Sequence, residues 1–350
     1  MSGTPRPRPT MRDVAALAGV SLKTVSRVIN GELTVAADLA ARVHRATEQL
    51  DYQPNLTASS LRRTGGRTRT IGILLEDVAN PFSAALHRAI EDVARPRGLA
   101  VLTASLDEQP ETEVAMALAL VSRRVDGLII APTGPDQSYL LTEKRNGTGL
   151  VFVDRPPRLL DADAVVSDNR EGAHRATTHL LRRGHRRVAF LGDLRTIATA
   201  AERFAGYRDA YRDAGLPIDD ALICHDLRTV AASDAAAQQL LALADPPTGL
   251  FAGQNLVTIG VIRALRARGL QRVIALVGFD DFPLADLLEP AVTVVAQDPR
   301  RIGEIAADVL FRRMDGDVSP SQVHVVATQL IERGSGEVRF EGSTKRRPGT

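Results

Sequence analysis

The stretch "RDVAALAGVSLKTVSRVINGE", residues 12–32, sets two short apolar-periodic segments on either side of one glycine, with no room for a core of ordinary size. Val14, Leu17 and Ala18 recur at helical spacing behind Thr10 and Asp13, a capping-box pair, so a first helix is expected over 11–18, ended by Gly19. Ser21 can cap a second helix that turns Val25, Val28 and Ile29 inward and stops at Asn30-Gly31. Two helices joined by a short glycine turn make a helix-turn-helix, whose second helix fits the DNA major groove. That geometry faces Leu22, Lys23, Ser26 and Arg27 outward and Thr24 toward the groove wall, a set suited to bases and phosphates.

The surrounding chain supports a nucleic-acid module joined to a larger one. Residues 1–69 hold 11 Lys/Arg against 5 Asp/Glu, a net +6, while the rest of the 350-residue chain carries −4. The single cysteine, Cys224, excludes an intramolecular disulfide and fits a reducing compartment. No apolar run reaches the roughly 20 residues that span a bilayer, and the Arg- and Pro-bearing start has no signal-peptide core, so a cytoplasmic protein without a membrane role is expected.

A third amphipathic helix follows, with Leu39, Val43, Ala46 and Leu50 on one face, and stops before Pro54. "NLTASSLRR", 55–63, then begins with the cap Asn55 and carries Leu56, Ala58 and Leu61 over less than two turns, too short to hold alone in water. On "RDVAALAGVSLKTVSRVIN" and "LDYQPNLTASSL" the chain resembles the lactose- and galactose-repressor (LacI/GalR) family of bacterial transcription regulators. The resemblance implies a hinge helix over 55–62, ordered when two subunits sit on DNA, with Leu61 wedged into a deformable central minor-groove step. It implies phosphate contacts from Thr10, Ser21 and Asn30, and operator discrimination by Leu22 and Lys23. The candidate DNA-contacting set is thus Thr10, Ser21, Leu22, Lys23, Thr24, Ser26, Arg27, Asn30, Asn55, Ala58 and Leu61. Three positions depart from the family pattern. Ala36 and Ala40 stand where a serine cap and an arginine are usual, which shifts the expected cap to Thr34, and Asp51 replaces a glycine where φ is positive.

After the basic linker "RRTGGRTRT", short apolar runs alternate with amphipathic stretches: "TIGILLE", "GLAVLTAS", "DGLIIAP", "LVFVDRP", "AVVSDN", "RRVAFLGD", "GLFAGQN" and "VIALVGFDD". Helices are expected over 81–95, 111–124, 170–183, 199–214, 232–244 and 256–268. Alternating β and α predicts doubly wound parallel sheets, and about eleven strands over some 260 residues predict two lobes with a cleft between. The expected organisation is a headpiece over 1–54, hinge and linker over 55–70, a two-lobed effector-binding and dimerisation core over 71–335, and a disordered tail over 336–350. The resemblance extends to about residue 335 and implies a periplasmic-binding-protein-like core that closes on a small effector.

Polar residues recur at successive strand ends. The candidate effector contacts are Asn80, Phe82, Asp154, Arg203, Gln254, Asp280 and Gln297, with Arg155, Asn255 and Asp281 beside them. Fork-shaped arginine with carboxylates and amides suits vicinal hydroxyls, so a carbohydrate effector is expected. Gln254-Asn255 replaces the family's Asn-Asp, and no tryptophan is present, which raises a phosphorylated or acidic ligand as a variant of that reading.

Two other classes fit the sequence less well. An α/β enzyme would leave the headpiece unexplained, and there is no G-x-G-x-x-G after the first strand, no P-loop, no nucleophile elbow and no H-E-x-x-H. Only an Asp280/Asp281 pair stays open as a catalytic arrangement. His174, His179 and His185 read as solvated positions, and no cofactor or metal is expected. A transport solute-binding protein would share the lobes but carry a signal peptide and no DNA module. The expectation is a homodimeric operator-binding repressor, two linked headpieces gaining effective concentration on a palindrome.

Overall fold

In a computed structural model, residues 9–29, 32, 34–52 and 67–340 are described. The chain divides into two units between Arg69 and Thr70.

The first unit is three helices, α1 (Met11–Ala18), α2 (Leu22–Ile29) and α3 (Ala37–Gln49), around one small core of Val14, Ala15, Ala18, Val25, Val28, Val43, Ala46 and Tyr52. The Thr10–Asp13 capping box is formed: Asp13 N–H donates to Thr10 Oγ1 at 3.4 Å, and Thr10 N–H to Asp13 Oδ2 at 2.7 Å. Gly19 takes φ +63° as the C-cap of α1, so the backbone asks for glycine there; the nearest neighbour a Cβ would meet is the mobile end of Arg42. Two expectations differ. Leu17 is 46 % exposed, its inward place being taken by Ala15, because helices this close together admit only a small side chain. Helix α3 begins on Ala36 with no side-chain cap, so the cap does not move to Thr34. Asp51 does take the positive φ, +47°.

The second unit holds two six-stranded sheets. The first, in the order β11 (Val323–Val326), β5 (Asp163–Ser167), β4 (Gly149–Val153), β3 (Gly127–Ile130), β1 (Thr70–Leu75), β2 (Ala100–Ser105), is parallel throughout. The second runs β12 (Gln329–Ile331), β10 (Thr293–Ala296), β9 (Ala275–Phe279), β8 (Gly249–Ala252), β6 (Val188–Leu191), β7 (Ile223–Cys224), with only the β10/β12 pair antiparallel. Central strands such as β3, β4, β6 and β8 are buried along their whole length, as parallel strands covered by helices on both faces must be.

Helices α4 (Pro81–Ala94), α5 (Pro110–Ser122), α6 (Leu141–Arg145) and α11 (Pro299–Met314) belong to the first lobe; α7 (Asn169–Arg182), α8 (Ala198–Asp213), α9 (Val230–Leu240) and α10 (Asn255–Ala267) belong to the second. The chain crosses between lobes three times, after β5, after β10 and between β11 and β12. Among the described residues the strands number twelve, against an expected eleven or so. Helices α6 and α11 and the edge strands β7, β11 and β12 are not anticipated from the sequence: α6 has five residues, β7 two and β12 three, and α11 carries arginines among its apolar positions.

The order of the chain continues past residue 335, where a disordered tail was expected. Gly336 N–H donates to Thr293 Oγ1 at 3.0 Å, Val338 O accepts from His185, and Phe340 N–H donates to Arg183 O at 3.3 Å. Residues 341–350 lie outside the described residues.

Candidate functional site

In the headpiece, α2 turns Val25 and Val28 into the core and leaves the opposite face available. Leu22 is 41 % exposed, Lys23 and Arg27 are exposed, and Thr24 and Ser26 are half-buried. Ser21 Oγ accepts from Thr24 N–H at 3.1 Å and lies 2.9 Å from Thr24 Oγ1, which fixes the start of this helix. Arg27 pairs with Glu32 at 3.4 Å on the surface. Thr10 spends its hydroxyl on the capping box. Asn30, Asn55, Ala58 and Leu61, with the hinge helix expected over 55–62, lie outside the described residues.

In the larger unit a cavity of about 590 Å³, counting its open mouth, lies at the carboxyl ends of the strands between the lobes. Asn80, Phe82, Asp154, Arg203, Gln254, Asp280 and Gln297 all line it. Asp154 follows β4 and Asp280 follows β9, at matching places in the two lobes. Both hold positive φ, +67° and +68°, and both donate N–H to the next strand, at Val165 O and Val295 O. Aspartate tolerates the left-handed region better than most residues, and its repetition after the corresponding strand of each lobe gives the two carboxylates the same local exit into the cavity.

Arg203 is buried and held through Nε and Nη1. Its Nε donates to Asn169 Oδ1 at 2.8 Å, its Nη1 to Gly253 O at 2.8 Å and Asp280 Oδ2 at 3.3 Å, and the guanidinium stacks 3.8 Å over the Phe279 ring. Gln297 Nε2 donates to Asp280 Oδ1 at 2.7 Å, and Ser167 Oγ donates to Gln297 Oε1 at 2.5 Å. Burial pushes the Asp280 carboxyl up, against the pull of Arg203. Asn255 stands beside the cavity and joins the lobes: its Nδ2 donates to Asn80 Oδ1 at 3.0 Å, and Asn80 Nδ2 returns a bond at 3.5 Å.

Residues absent from the forecast also line the cavity, chief among them Glu76 after β1 and Asp193 after β6. Both stand directly behind apolar runs that were recognised as strands, so a carboxylate at the strand end was the available signal. Arg155 lies alongside, its Nη1 and Nη2 on Glu108 at 2.9 and 2.5 Å and its Nε on Asp154 at 3.0 Å. The lining is therefore carboxylate-rich with both arginines already paired, which runs against the phosphorylated or acidic ligand raised by Gln254-Asn255.

Asp281 does not form a pair with Asp280. It turns to Arg333 in a two-bond fork at 2.9 and 2.7 Å and does not line the cavity. The histidines also differ from the solvated reading. His185 is fully buried and His179 nearly so, each donating from Nε2 to a carbonyl, Val338 O at 2.8 Å and Gly336 O at 3.1 Å. Burial holds both pKa values down, so they act as neutral anchors for the last described residues. Glu332 and Glu337 stand near His179, but Arg183 occupies that group, donating to His179 Nδ1 and bonding both carboxylates.

Among the described residues, no helix is long and apolar enough to cross a membrane. Residues 10–55 match the profile of bacterial regulatory proteins of the lacI family, and residues 177–336 that of the periplasmic binding protein-like domain. The ribose operon repressor of Escherichia coli K12 is 33 % identical over 330 residues, covering 93 % of this chain and 99 % of the relative. The solved complex of the transcriptional regulator CelR with cellobiose is 30 % identical, with a TM-score of 0.69 over 94 % of this chain and all of that one. The lac repressor dimer bound to operator and the anti-inducer ONPF shares the fold, with a TM-score of 0.81 at 23 % identity over 94 % of this chain and 99 % of that chain. With the headpiece, the two-lobed core and the cleft all matched along nearly the whole length, the chain belongs to the lacI family of bacterial regulatory proteins.

Proposed function

We propose that this protein is a cytoplasmic homodimeric repressor that binds a palindromic operator and is controlled by a small carbohydrate held between the lobes of its core. One observation carries the reading: a single chain joins a helix-turn-helix with an exposed polar face on α2 to a cleft lined by polar side chains from both lobes. In this reading Leu22 and Lys23 face base edges, Thr24, Ser26 and Arg27 flank them, and Thr10, Ser21 and Asn30 hold the backbone. Asn55, Ala58 and Leu61 serve the hinge, and residues 55–70 link headpiece and core. The effector contacts are Asn80, Phe82, Asp154, Arg203, Gln254, Asp280 and Gln297.

Closure of the lobes on the effector changes the dimer interface and disfavours the hinge helices by about 1–3 kcal/mol, enough to move operator affinity by one to two orders of magnitude. The protein acts by binding and not by catalysis. The divergence of Asp280 and Asp281 supports this, as do relatives that are themselves repressors. The test is selection of bound duplexes from a random pool by the full-length protein. Enrichment of a palindrome with a deformable centre is expected, and deletion of residues 1–63 should abolish it while sparing ligand binding. A deletion variant that still selects the palindrome would overturn the assignment of DNA binding to the headpiece.

A further inference from the structure

The cavity's charges do not balance. Asp280 is offset by Arg203 at 3.3 Å, and Arg155 is consumed by Glu108, with Asp154 sharing its Nε. Among the described residues, the one ion pair of Glu76 is with Arg228, whose Nη2 stands 3.8 Å from Oε1 and whose Nη1 is also turned to Asp107 O, while Arg155 acts on it only through space. Asp193 has no ion pair among the described residues: it accepts from Leu194 N–H at 2.7 Å and Gln254 Nε2 at 3.2 Å, and Arg228 and Arg203 reach it only through space. Glu76 belongs to the first lobe and Asp193 to the second, each placed just after the first strand of its lobe. Closing the lobes therefore brings two under-compensated carboxylates toward one space. A second observation points into that space: Gln254 is 7 % exposed, and its Oε1 is a buried acceptor without a hydrogen-bond donor.

We propose that the cleft takes an aminated polyhydroxylated ligand, an amino sugar, whose ammonium group lies between Glu76 and Asp193 while Gln254 Oε1 accepts one of its N–H or O–H groups. This rests on the reading of the cleft as the effector site and names the chemical class that the site selects. The ammonium supplies the positive charge that lets the lobes close, whereas a phosphorylated sugar meets four lining carboxylates, Glu76, Asp154, Asp193 and Asp280, and two arginines already bonded to carboxylates. Consistent with this, the Glu76 carboxyl is pushed up to about 7 by burial first, then by Glu108 and Asp193, with Asp154 adding to the effect and Arg155 opposing it. An ammonium beside Glu76 would bring its carboxyl back to the charged form, so binding near pH 7 should release a proton.

The test is calorimetric titration of the full-length protein with glucosamine, galactosamine, glucose, galactose and glucose 6-phosphate, in two buffers of different protonation enthalpy, with release of the selected duplex as a second readout. Each binding amino sugar is expected to hold about tenfold or more tighter than its hydroxyl counterpart, with proton release, and glucose 6-phosphate is expected not to bind. Glu76→Gln and Asp193→Asn should each erase the amino-sugar advantage while a neutral sugar still binds, which separates loss of charge from loss of fold. Equal or tighter binding of the neutral or phosphorylated sugars, or an advantage that survives both variants, overturns the proposal. A neutral sugar that alone binds and releases the duplex removes the amine and keeps the cleft as effector site. A panel in which nothing binds removes both.

Discussion

Asn80 and Asn255 exchange amide hydrogen bonds across the cleft, at 3.0 and 3.5 Å, from the starts of α4 and α10 on opposite lobes. Each is also tied to its own helix start, Asn80 Oδ1 accepting from Phe82 N–H and Asn255 Oδ1 from Leu256 N–H. The pair thus reports lobe closure with both partners already oriented. Asn255→Ala removes the bridge and leaves the cap on α4 intact, so it should cost about 1–2 kcal/mol of closed state and weaken effector affinity about five- to thirtyfold. Small-angle scattering and calorimetry with the bound sugar check this; unchanged affinity would show that the bridge does not help to hold the lobes together.

Glu76 ties stability to pH. Its carboxyl ionises near pH 7 in the folded protein, against about 4.5 when the chain is open, because burial and its carboxylate neighbours disfavour the charge. The unfolded chain therefore loses this proton first. Stability is unaffected below the unfolded value, falls as pH rises from about 4.5 to 7, and carries the full penalty of about 3 kcal/mol above it. Glu76→Gln should raise the midpoint of thermal unfolding at pH 8 and leave it unchanged at pH 4, as calorimetric scans at the two pH values will show.

Arg203 and Asp280 form a buried pair whose members cannot be removed singly without cost. Arg203→Met leaves Asp280 with only Gln297 Nε2 as a side-chain donor and takes the guanidinium from the Phe279 ring, so about 3 kcal/mol of stability should be lost. Asp280→Asn added to that variant removes the stranded charge and should recover much of the loss. Denaturant titration of the four proteins measures the coupling; strictly additive losses would place the stabilising partner of Asp280 elsewhere.

What was legible in the sequence follows from how each feature is encoded. The long core strands and their following helices carry uninterrupted apolar runs or a 3.6 period, so β1, β6, β8 and α10 were visible in position and type. The strand-end residues became a site once two parallel sheets were inferred, since parallel strands deliver their carboxyl ends to one edge. Glu76 and Asp193 were passed over because a carboxylate after a strand is ordinarily a solvated turn residue, and only the partnering of Arg155 and Arg203 makes these two exceptional. His179 and His185 were misread because their surroundings are built by residues 336–338, more than 150 positions away. No periodicity within α7 or its following turn encodes a carbonyl arriving from that distance.

On α2, Lys23 and Arg27 are both exposed cations, yet they should behave differently on DNA. Lys23 stands beside Leu22 near the helix start, where side chains reach base edges, and has no structural duty within the headpiece core. Lys23→Ala should therefore relax base preference at one position of each half-site, by about 1–3 kcal/mol of discrimination. Arg27 lies one turn later, on the surface and paired with Glu32 at 3.4 Å, and under the proposed reading it meets the phosphate backbone. Arg27→Ala should weaken all duplexes alike and lower the slope of log affinity against log salt by about 1 for each headpiece. Duplex selection, with affinities at two salt concentrations, separates the two effects. Unchanged preferred bases for Lys23→Ala would move base reading to other residues of the helix and leave Lys23 as a second phosphate contact.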